Sequence, residues 1–379
     1  MLNNGKLAEI ARPDLNPVRV MVVDDSVVVR GLLSRWIDHD PELAVVGAFR
    51  NAQTALDQLV SCDPDVVILD VEMPGMDGLS ALPQLLSLKP ELAVIMASTL
   101  TQRNAKISLE ALAQGAVDYL PKPTSRAGII SSHEFQRDLL DKIRVHGGRE
   151  MIARPPVVSR APVIEKVHVD VSPSHSTPDQ LHKPDVIVIG ASTGGPQALT
   201  QLFGELGPFL ADTTVLIAQH MPAMFTTILA EHIKKASGRL CREAQDGMTI
   251  EPGCIYVAPG GKHMTVESRP NGHLLNISEE APRDFCRPSV NSLLESTADA
   301  FGGSLMAIIL TGMGEDGTCG ANAVRQAGGS VLVQNEESSV VWGMPGSVAK
   351  AGHCDQILDL DGLAKTLKDL LVGGANDTR

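Results

Sequence analysis

The sequence predicts an α/β protein built on two doubly wound, mostly parallel sheets. Short apolar runs rich in Val, Ile and Leu recur along the 379 residues and alternate with stretches of helical period. The runs are almost continuously apolar, as expected of parallel strands that are buried on both faces. Aromatic residues make up only 3% of the chain, so aliphatic side chains must fill the cores of these sheets.

Five apolar runs in the first half predict a five-stranded parallel sheet. They lie at residues 18–23, 43–48, 66–69, 92–97 and 117–120. Apolar residues at helical spacing follow the first run over residues 28–37 and the second over residues 51–59. Alternation of this kind is typical of the flavodoxin-like, doubly wound arrangement.

Polar residues stand at the carboxyl ends of these runs. Asp24 and Asp25 follow the first run, Asp70 the third, Ser98 the fourth and Lys122 the fifth. Three converging carboxylates repel one another unless a cation neutralises them, and hard oxygen ligands suit Mg²⁺. One acid at an exposed strand end would be unremarkable. Polar residues at so many matching strand ends predict a magnesium-dependent site for a phosphoryl group.

The composition outside the two α/β segments predicts the domain boundaries. Residues 147–183 are rich in Pro, Ser and Val and indicate an extended, mobile linker. Residues 1–17 are expected to form a disordered lead-in and residues 373–379 a frayed tail. We therefore expect one domain at residues 18–146 and a second at residues 184–372.

The second half repeats the alternation of strands and helices. Apolar runs predict strands at residues 186–189, 214–218, 254–258, 305–310 and 330–334. Helical patterns are expected over residues 197–203, 225–235, 288–300, 321–327 and 363–371. A strand-to-helix turn, Gly190-Ala191-Ser192-Thr193-Gly194-Gly195, follows the first of these strands. In open α/β sheets, ligands bind at such carboxyl ends.

Three interpretations of this turn compete. The letters fit G-x-S-x-G, in which Ser192 would be a nucleophile on a sharp elbow. They nearly fit the dinucleotide fingerprint G-x-G-x-x-G, with Ser192 in place of the middle glycine. In the third interpretation Ser192 only caps the helix that follows. The dinucleotide interpretation also needs an acid at the end of the next strand, where this chain has Gln219 and His220.

Two other strand ends supply the partners that a serine nucleophile needs. His220 follows the second strand of this half and Asp316 lies in the glycine turn after the strand at 305–310. A histidine base oriented by a carboxylate activates a hydroxyl. The backbone N–H groups of Thr193 and Met313 are the expected oxyanion donors. The order Ser, His, Asp disagrees with the α/β-hydrolase order of Ser, Asp, His.

Bulk composition excludes several classes of protein. The net charge of −13 argues against a nucleic-acid binder, which normally presents a basic face. Six scattered cysteines without a C-x-x-C pair indicate reduced thiols rather than a disulfide framework or a zinc site. The chain lacks the apolar run of a signal peptide or a membrane span, so we expect a cytoplasmic protein without membrane insertion.

Residues 18–146 resemble the receiver domain of bacterial response regulators. The resemblance rests on Asp24-Asp25, the run DVEMPGMDG that begins at Asp70, Ser98, Tyr119 and Lys122-Pro123. It implies that Asp70 accepts a phosphoryl group from a sensor histidine kinase, with Mg²⁺ held by Asp24, Asp25 and Asp70. It also implies that Ser98 and Lys122 contact the phosphoryl oxygens and that Tyr119 is an aromatic switch. A cis peptide bond before Pro123 belongs to the same expectation.

Residues 184–372 resemble the catalytic domain of the chemotaxis protein-glutamate methylesterases, the CheB family. The matching runs are GASTGG at 190–195, QHM at 219–221, RPSV at 287–290, TGMGEDG at 311–317 and WGMP at 342–345. The resemblance implies hydrolysis of glutamate methyl esters on chemoreceptors and deamidation of some receptor glutamines. Ser192 would be the nucleophile, His220 the general base and acid, and Asp316 the orienting acid. No cofactor is expected for this chemistry.

Regulation and two rival functions complete the expectations. We expect the unphosphorylated receiver domain to cover the active-site edge and phosphorylation of Asp70 to relieve that inhibition. One rival is a response regulator whose output domain only binds DNA or a partner protein. The other is an α/β-hydrolase that acts on small esters. A serine-directed esterase probe would not label a domain that only binds. Turnover of free small esters without receptor would support the α/β-hydrolase.

Overall fold

The computed structural model describes residues 16–123, 133–148 and 181–373. The expected linker, lead-in and tail lie mostly outside these ranges. Within them the predicted fold class is confirmed, because the residues form a five-stranded parallel sheet and a seven-stranded parallel sheet, both accompanied by helices. A three-stranded antiparallel sheet, which the apolar runs did not predict, accompanies the second sheet.

The first sheet has the strand order β2-β1-β3-β4-β5. Its strands are β1 (Val18–Val23), β2 (Leu43–Phe49), β3 (Val66–Asp70), β4 (Ala93–Thr99) and β5 (Asp118–Lys122). Its helices are α1 (Val27–Asp38), α2 (Ala52–Cys62), α3 (Gly78–Leu88), α4 (Gln102–Ala113) and α5 (His133–His146). The strand order reverses between β1 and β3, and a crevice for ligands opens at such a point.

The second sheet has the strand order β15-β14-β13-β6-β7-β10-β8. Its strands are β6 (Val186–Ala191), β7 (Thr214–Gln219), β8 (Cys241–Glu243), β10 (Ile255–Val257), β13 (Leu305–Ile309), β14 (Ser330–Gln334) and β15 (Gln356–Leu358). All of its pairings are parallel. The chain leaves β6 toward β7 and later returns to its other side as β13, so β6 stands at the point where the strand order reverses.

The remaining elements surround this sheet. The antiparallel strands are β9 (Met248–Thr249), β11 (His263–Arg269) and β12 (Gly272–Ser278). The helices are α6 (Gly195–Leu206), α7 (Phe225–Ser237), α8 (Val290–Phe301), α9 (Thr318–Gln326), α10 (Met344–Lys350) and α11 (Leu360–Gly373). None of the helices in the described ranges is long and apolar enough to cross a membrane.

Burial of the strands follows from their composition. Every residue of β3, β6, β7, β10 and β13 is buried, as their uninterrupted apolar runs require. Each Å² of apolar surface removed from water stabilises the folded state by about 25 cal/mol, so the strands are held firmly in the core. The polar residues that follow them are then presented at a rigid edge.

Candidate functional site

Three carboxylates meet at the carboxyl edge of the first sheet. Asp24 follows β1 and Asp70 ends β3, and both are buried, whereas Asp25 is exposed. One carboxylate oxygen from each of the three lies within 4.8 Å of the others. Because β1 and β3 are neighbours at the reversal of strand order, the predicted group forms where ligands are expected.

Lys122 brings a positive charge to this group. Its Nζ lies 2.7 Å from Asp24 Oδ2 and 2.7 Å from Asp70 Oδ1. Burial acts to lower the pKa of Lys122, but the carboxylates of Asp70 and Asp24 outweigh it and raise that pKa. Burial raises the pKa of Asp70 to about 6, against the opposing charge of Lys122. Among the described residues, this edge therefore holds three carboxylates against a single lysine, an excess of negative charge that a bound cation would neutralise.

Two other residues predicted for this edge, Ser98 and Tyr119, lie in the neighbouring strands. Ser98 is buried in β4, and its hydroxyl shares a hydrogen bond of 3.0 Å with the hydroxyl of Ser108. Tyr119 is buried in β5. Among the described residues the cis peptide bond is that between Arg287 and Pro288, so the expectation of a cis bond before Pro123 is not met.

The turn after β6 is held by three hydrogen bonds at Ser192. The Ser192 N–H donates to the Thr311 carbonyl at 3.0 Å, and the Ser192 carbonyl accepts from the Gly195 N–H and from Gln219 Nε2, both at 2.8 Å. Gly194 has φ of 78°, a conformation that suits glycine. These contacts hold a half-buried serine at the start of α6.

Close packing behind the serine needs a second glycine. A Cβ at Gly312 would lie 2.8 Å from Ser192 Cβ and 3.0 Å from Ser192 N. The chain after β13 therefore passes directly against the serine turn only because residue 312 lacks a side chain. The approach carries Met313 and Asp316 toward the same strand ends.

His220, after β7, and Asp316, in the turn after β13, form a hydrogen-bonded pair. His220 Nε2 lies 2.9 Å from Asp316 Oδ2. Since the ionised carboxylate can only accept, the imidazole donates from Nε2, and in the neutral ring Nδ1 is the accepting nitrogen. The predicted base and its orienting acid are thus brought together by the packing of β7 and β13 on either side of β6.

Asp316 is kept ionised by the beginning of α8. Its Oδ1 accepts from the Ser289 hydroxyl at 3.1 Å and the Asn291 N–H at 2.9 Å, and its Oδ2 accepts from the Val290 N–H at 2.7 Å. Burial acts to raise the pKa of this carboxyl, but the bonds from His220 and these N–H groups outweigh it and lower the pKa. The positive end of the helix dipole acts in the same direction.

The second nitrogen of His220 faces a cysteine. Nδ1 lies 3.8 Å from Cys286 Sγ, close enough for the sulfur to accept a weak hydrogen bond from the protonated ring. Burial acts to lower the pKa of His220, but hydrogen bonds with Asp316 and Cys286 outweigh it and raise the pKa to about 9. In the described part of the chain the Ser192 hydroxyl makes no hydrogen bond, so Ser192 is not bonded to His220 here.

Two backbone N–H groups, one in the serine turn and one after Gly312 beside it, have no acceptor among the described residues. The N–H groups of Thr193 and Met313 donate to no group among the described residues. The neighbouring Gly312 N–H, by contrast, donates to the Val341 carbonyl at 2.9 Å. Free N–H groups beside a nucleophile can receive a developing oxyanion.

Sequence reasoning missed four residues that shape this site. They are Gln219, Cys286, Ser289 and Asn291, which contact Ser192, His220 or Asp316. Ser289 could have been found, since a serine at the start of a helical pattern signals an N-cap. Cys286 carries no such local signal.

Two protein families match the chain, one in each half. Residues 187–367 match the family described as CheB methylesterase, and residues 20–134 match the response regulator receiver domain family. A protein-glutamate methylesterase/protein-glutamine glutaminase of Nitrobacter hamburgensis is 46% identical over 361 residues, covering 94% of this chain and 95% of that protein. One from Rhodopseudomonas palustris strain HaA2 is 47% identical over 370 residues, covering 94% and 95%.

Two solved structures from Thermotoga maritima are also similar. The CheB methylesterase catalytic domain is 35% identical, with a TM-score of 0.48, and covers 49% of this chain and 98% of its own. The response regulator domain of CheB is 38% identical, with a TM-score of 0.31, and covers 36% and 99%.

Proposed function

Because the chain belongs to the family of protein-glutamate methylesterase/protein-glutamine glutaminases, we propose that it is a phosphorylation-activated hydrolase of chemoreceptor side chains. It removes methyl groups from glutamate esters and deamidates some glutamines. The receptor is its protein substrate, and a sensor histidine kinase is the phosphodonor of its receiver domain. The pair formed by His220 and Asp316 beside the Ser192 turn is the observation that carries the proposal.

Acylation of the enzyme begins at Ser192. Its Oγ attacks the ester carbonyl carbon while His220 Nδ1 takes the hydroxyl proton, for which the two groups must come within hydrogen-bond reach. The imidazolium is stabilised by Asp316, and the oxyanion accepts from the N–H groups of Thr193 and Met313. Collapse of the tetrahedral intermediate breaks the bond to the methoxy group, which leaves as methanol with the proton from His220.

Deacylation repeats these steps with water. His220 takes a proton from a water molecule, the resulting hydroxide attacks the acyl carbon, and Ser192 leaves with the proton that His220 returns. The product is a glutamate carboxylate. A glutamine side chain follows the same route, with ammonia in place of methanol as the leaving group.

The carboxylates at the edge of the first sheet support a magnesium-dependent phosphoacceptor. Hard oxygen donors from Asp24, Asp25 and Asp70 within 4.8 Å of one another fit a Mg²⁺ ion. Bound Mg²⁺ would neutralise charge on the incoming phosphoryl group. Asp70 accepts that group, and Lys122, already paired with Asp70, contacts its oxygens.

The proposal is tested by methanol release from methylated receptor. Ser192→Ala is expected to remove nearly all activity while the protein remains folded, because the lost hydroxyl is half-buried and makes no hydrogen bond within the described residues. Thr200→Ala is a matched control, since this hydroxyl bonds to the Pro196 carbonyl within α6. Turnover by Ser192→Ala comparable to that of the control would show that another group is the nucleophile.

A further inference from the structure

Three metal-ligating side chains meet at the catalytic histidine. One ligand atom from each of His220, Cys286 and Asp316 lies within 4.8 Å of the others. His220 and Asp316 are explained by the hydrolytic mechanism, but Cys286 has no part in it. Nitrogen and thiolate sulfur are ligands that Zn²⁺ prefers, whereas the acidic edge of the first sheet offers only oxygen.

The ring of His220 is already oriented as in zinc sites. Metal-bound histidines usually donate their second N–H to a carboxylate, which fixes the tautomer and the ring. Here Nε2 donates to Asp316 at 2.9 Å, so Nδ1 is the nitrogen that can bind an ion once the ring is neutral. Asp316 is itself held by Ser289 and by the first turn of α8, which leaves the ring little freedom.

The distance between the two inner ligands suits one ion. His220 Nδ1 and Cys286 Sγ are 3.8 Å apart. Zinc bonds of about 2.0–2.1 Å to nitrogen and 2.3 Å to sulfur, at a tetrahedral angle, separate the two atoms by about 3.5 Å. A shift of a few tenths of an ångström therefore brings both atoms to bonding distance.

The loop that carries Cys286 is held in place from both sides. Arg283 and Cys286 exchange backbone hydrogen bonds of 3.1 and 2.8 Å. Arg283 Nη2 also donates to Glu295 Oε1 at 2.7 Å, which ties the loop to α8. Arg287 donates to the carbonyls of Glu279 and Glu280. The thiol is half-buried, so it is both positioned and accessible to an ion from solution.

We propose that His220 Nδ1 and Cys286 Sγ form an inhibitory site for a soft divalent cation, with Zn²⁺ as the fitting ion. On binding, the Cys286 thiol and the protonated His220 Nδ1 each release a proton to water, the Nδ1 lone pair and the thiolate bond the ion, and water completes the coordination. With two protein ligands the binding is reversible rather than structural. The inhibitory consequence rests on the proposed function, since the occupied lone pair is the one that must accept the Ser192 proton.

Zinc titration of the full-length protein tests the consequence. Methanol release is measured against buffered free Zn²⁺ for the wild type, for Cys286→Ser and for Cys62→Ser, each relative to its own uninhibited rate. Cys62 is equally half-buried but lies in α2 of the first sheet. Zinc should inhibit the wild type and Cys62→Ser alike, whereas Cys286→Ser should need at least about tenfold more zinc. Equal sensitivity of Cys286→Ser and wild type would overturn the proposal.

A second readout does not depend on turnover. Alkylation of Cys286 by iodoacetamide is followed by peptide mass spectrometry with and without Zn²⁺, in the wild type and in Ser192→Ala. Zinc should slow the reaction of Cys286 in both proteins, and Mg²⁺ at the same concentration should not. Unprotected Cys286 would exclude the site even if zinc inhibited turnover. Protection without any methanol release in the wild type would support the site and count against the proposed esterase instead.

Discussion

The side chain of Asp316 caps the start of α8, where Asn291 lies, and the side chain of Asn291 caps the start of α9, just after Asp316. Asp316 accepts the N–H groups of Val290 and Asn291 at the start of α8. The Asn291 side-chain carbonyl accepts those of Gly317 and Gly320 at the start of α9, at 3.0 and 2.8 Å. Since Gly317 at the N-cap of α9 has no side chain, Asn291 supplies the missing cap. The Asp316 carboxylate is therefore held in place by this reciprocal pair of caps.

Removing the Asn291 side chain should weaken both the fold and the reaction. Asn291→Ala leaves two buried N–H groups unpaired and should lower the free energy of unfolding by about 1–3 kcal/mol. The turn that carries Asp316 then loosens, so kcat should fall more than KM changes. Asn51→Ala removes the N-cap of α2, which accepts from the Thr54 N–H, and is the matched control. It should lower thermal stability without lowering basal kcat. Equal kcat in both variants would show that Asn291 does not position Asp316.

Neutralising Asp316 should lower kcat far more than neutralising another buried acid does. Asp316→Asn keeps the shape of the side chain but no longer stabilises an imidazolium, so kcat should fall by about 10³–10⁴-fold. Asp355 is another buried acid of the second sheet, paired with Arg325 and bonded to the Val331 N–H. Asp355→Asn should destabilise the protein and leave kcat within a few-fold of wild type. Methanol release from methylated receptor distinguishes the two variants, and comparable losses would contradict the role of Asp316.

The pH dependence of turnover should follow His220. Its pKa is raised from 6.5 to about 9, so the imidazole is mostly protonated at neutral pH and cannot yet accept the serine proton. In the presence of a metal chelator, kcat/KM should rise with pH and level off above about 9. Cys286→Ala removes one cause of the raised pKa, so its profile should level off at lower pH. The raised pKa of His220 also increases the free energy of unfolding. This contribution is fully present below pH 6.5 and is lost as the pH rises through about 9.

A profile that is already level at neutral pH would contradict this assignment of the titrating group. The measurement therefore needs kcat/KM, which reports the free enzyme, rather than kcat alone.

Phe285 should help to bind the receptor. It is 83% exposed and stands directly before Cys286, which contacts His220. Asp284 and Phe285 have φ of 51° and 64°, an unusual conformation for such residues that is held by the bonded loop. Phe285→Ala should raise KM for methylated receptor by about tenfold and change kcat less, because exposed aromatic side chains often dominate binding.

Val60→Ala is the control for this prediction, since Val60 is 80% exposed but lies in α2. It should leave KM unchanged. A Phe285→Ala enzyme with the KM of wild type would mean that the receptor does not use this ring.

Phosphorylation should act through Asp70. A small phosphodonor with Mg²⁺ should raise methanol release by the wild type, and Asp70→Asn should remain at the basal rate because its amide cannot accept the phosphoryl group. Asp57→Asn alters an exposed acid of α2 that accepts from Gln53, and it should respond like wild type. Radioactive phosphate incorporation checks the acceptor directly. Stimulation of Asp70→Asn would require a different phosphorylated residue.

Local patterns in the sequence were sufficient for the strands and for the residues at their ends. The apolar runs before Asp24, Asp70 and Ser192 are strands that are buried except at Arg19, as expected of parallel strands covered on both faces. Parallel strands share one carboxyl edge, so the convergence of the three aspartates could be expected before any coordinates. The pairing of His220 with Asp316 followed from the same reasoning.

Only the tertiary structure decided what surrounds those residues. Cys286 lies against His220 because a loop between β12 and α8 folds back over the edge of the sheet, and no periodic pattern encodes that return. Asp316 caps α8 and Asn291 caps α9 because β13 packs beside β6. The composition of the strands does not specify this strand order. Contacts of this kind join residues far apart in sequence through side-chain packing, whereas periodicity reports only whether each segment is buried and on which face.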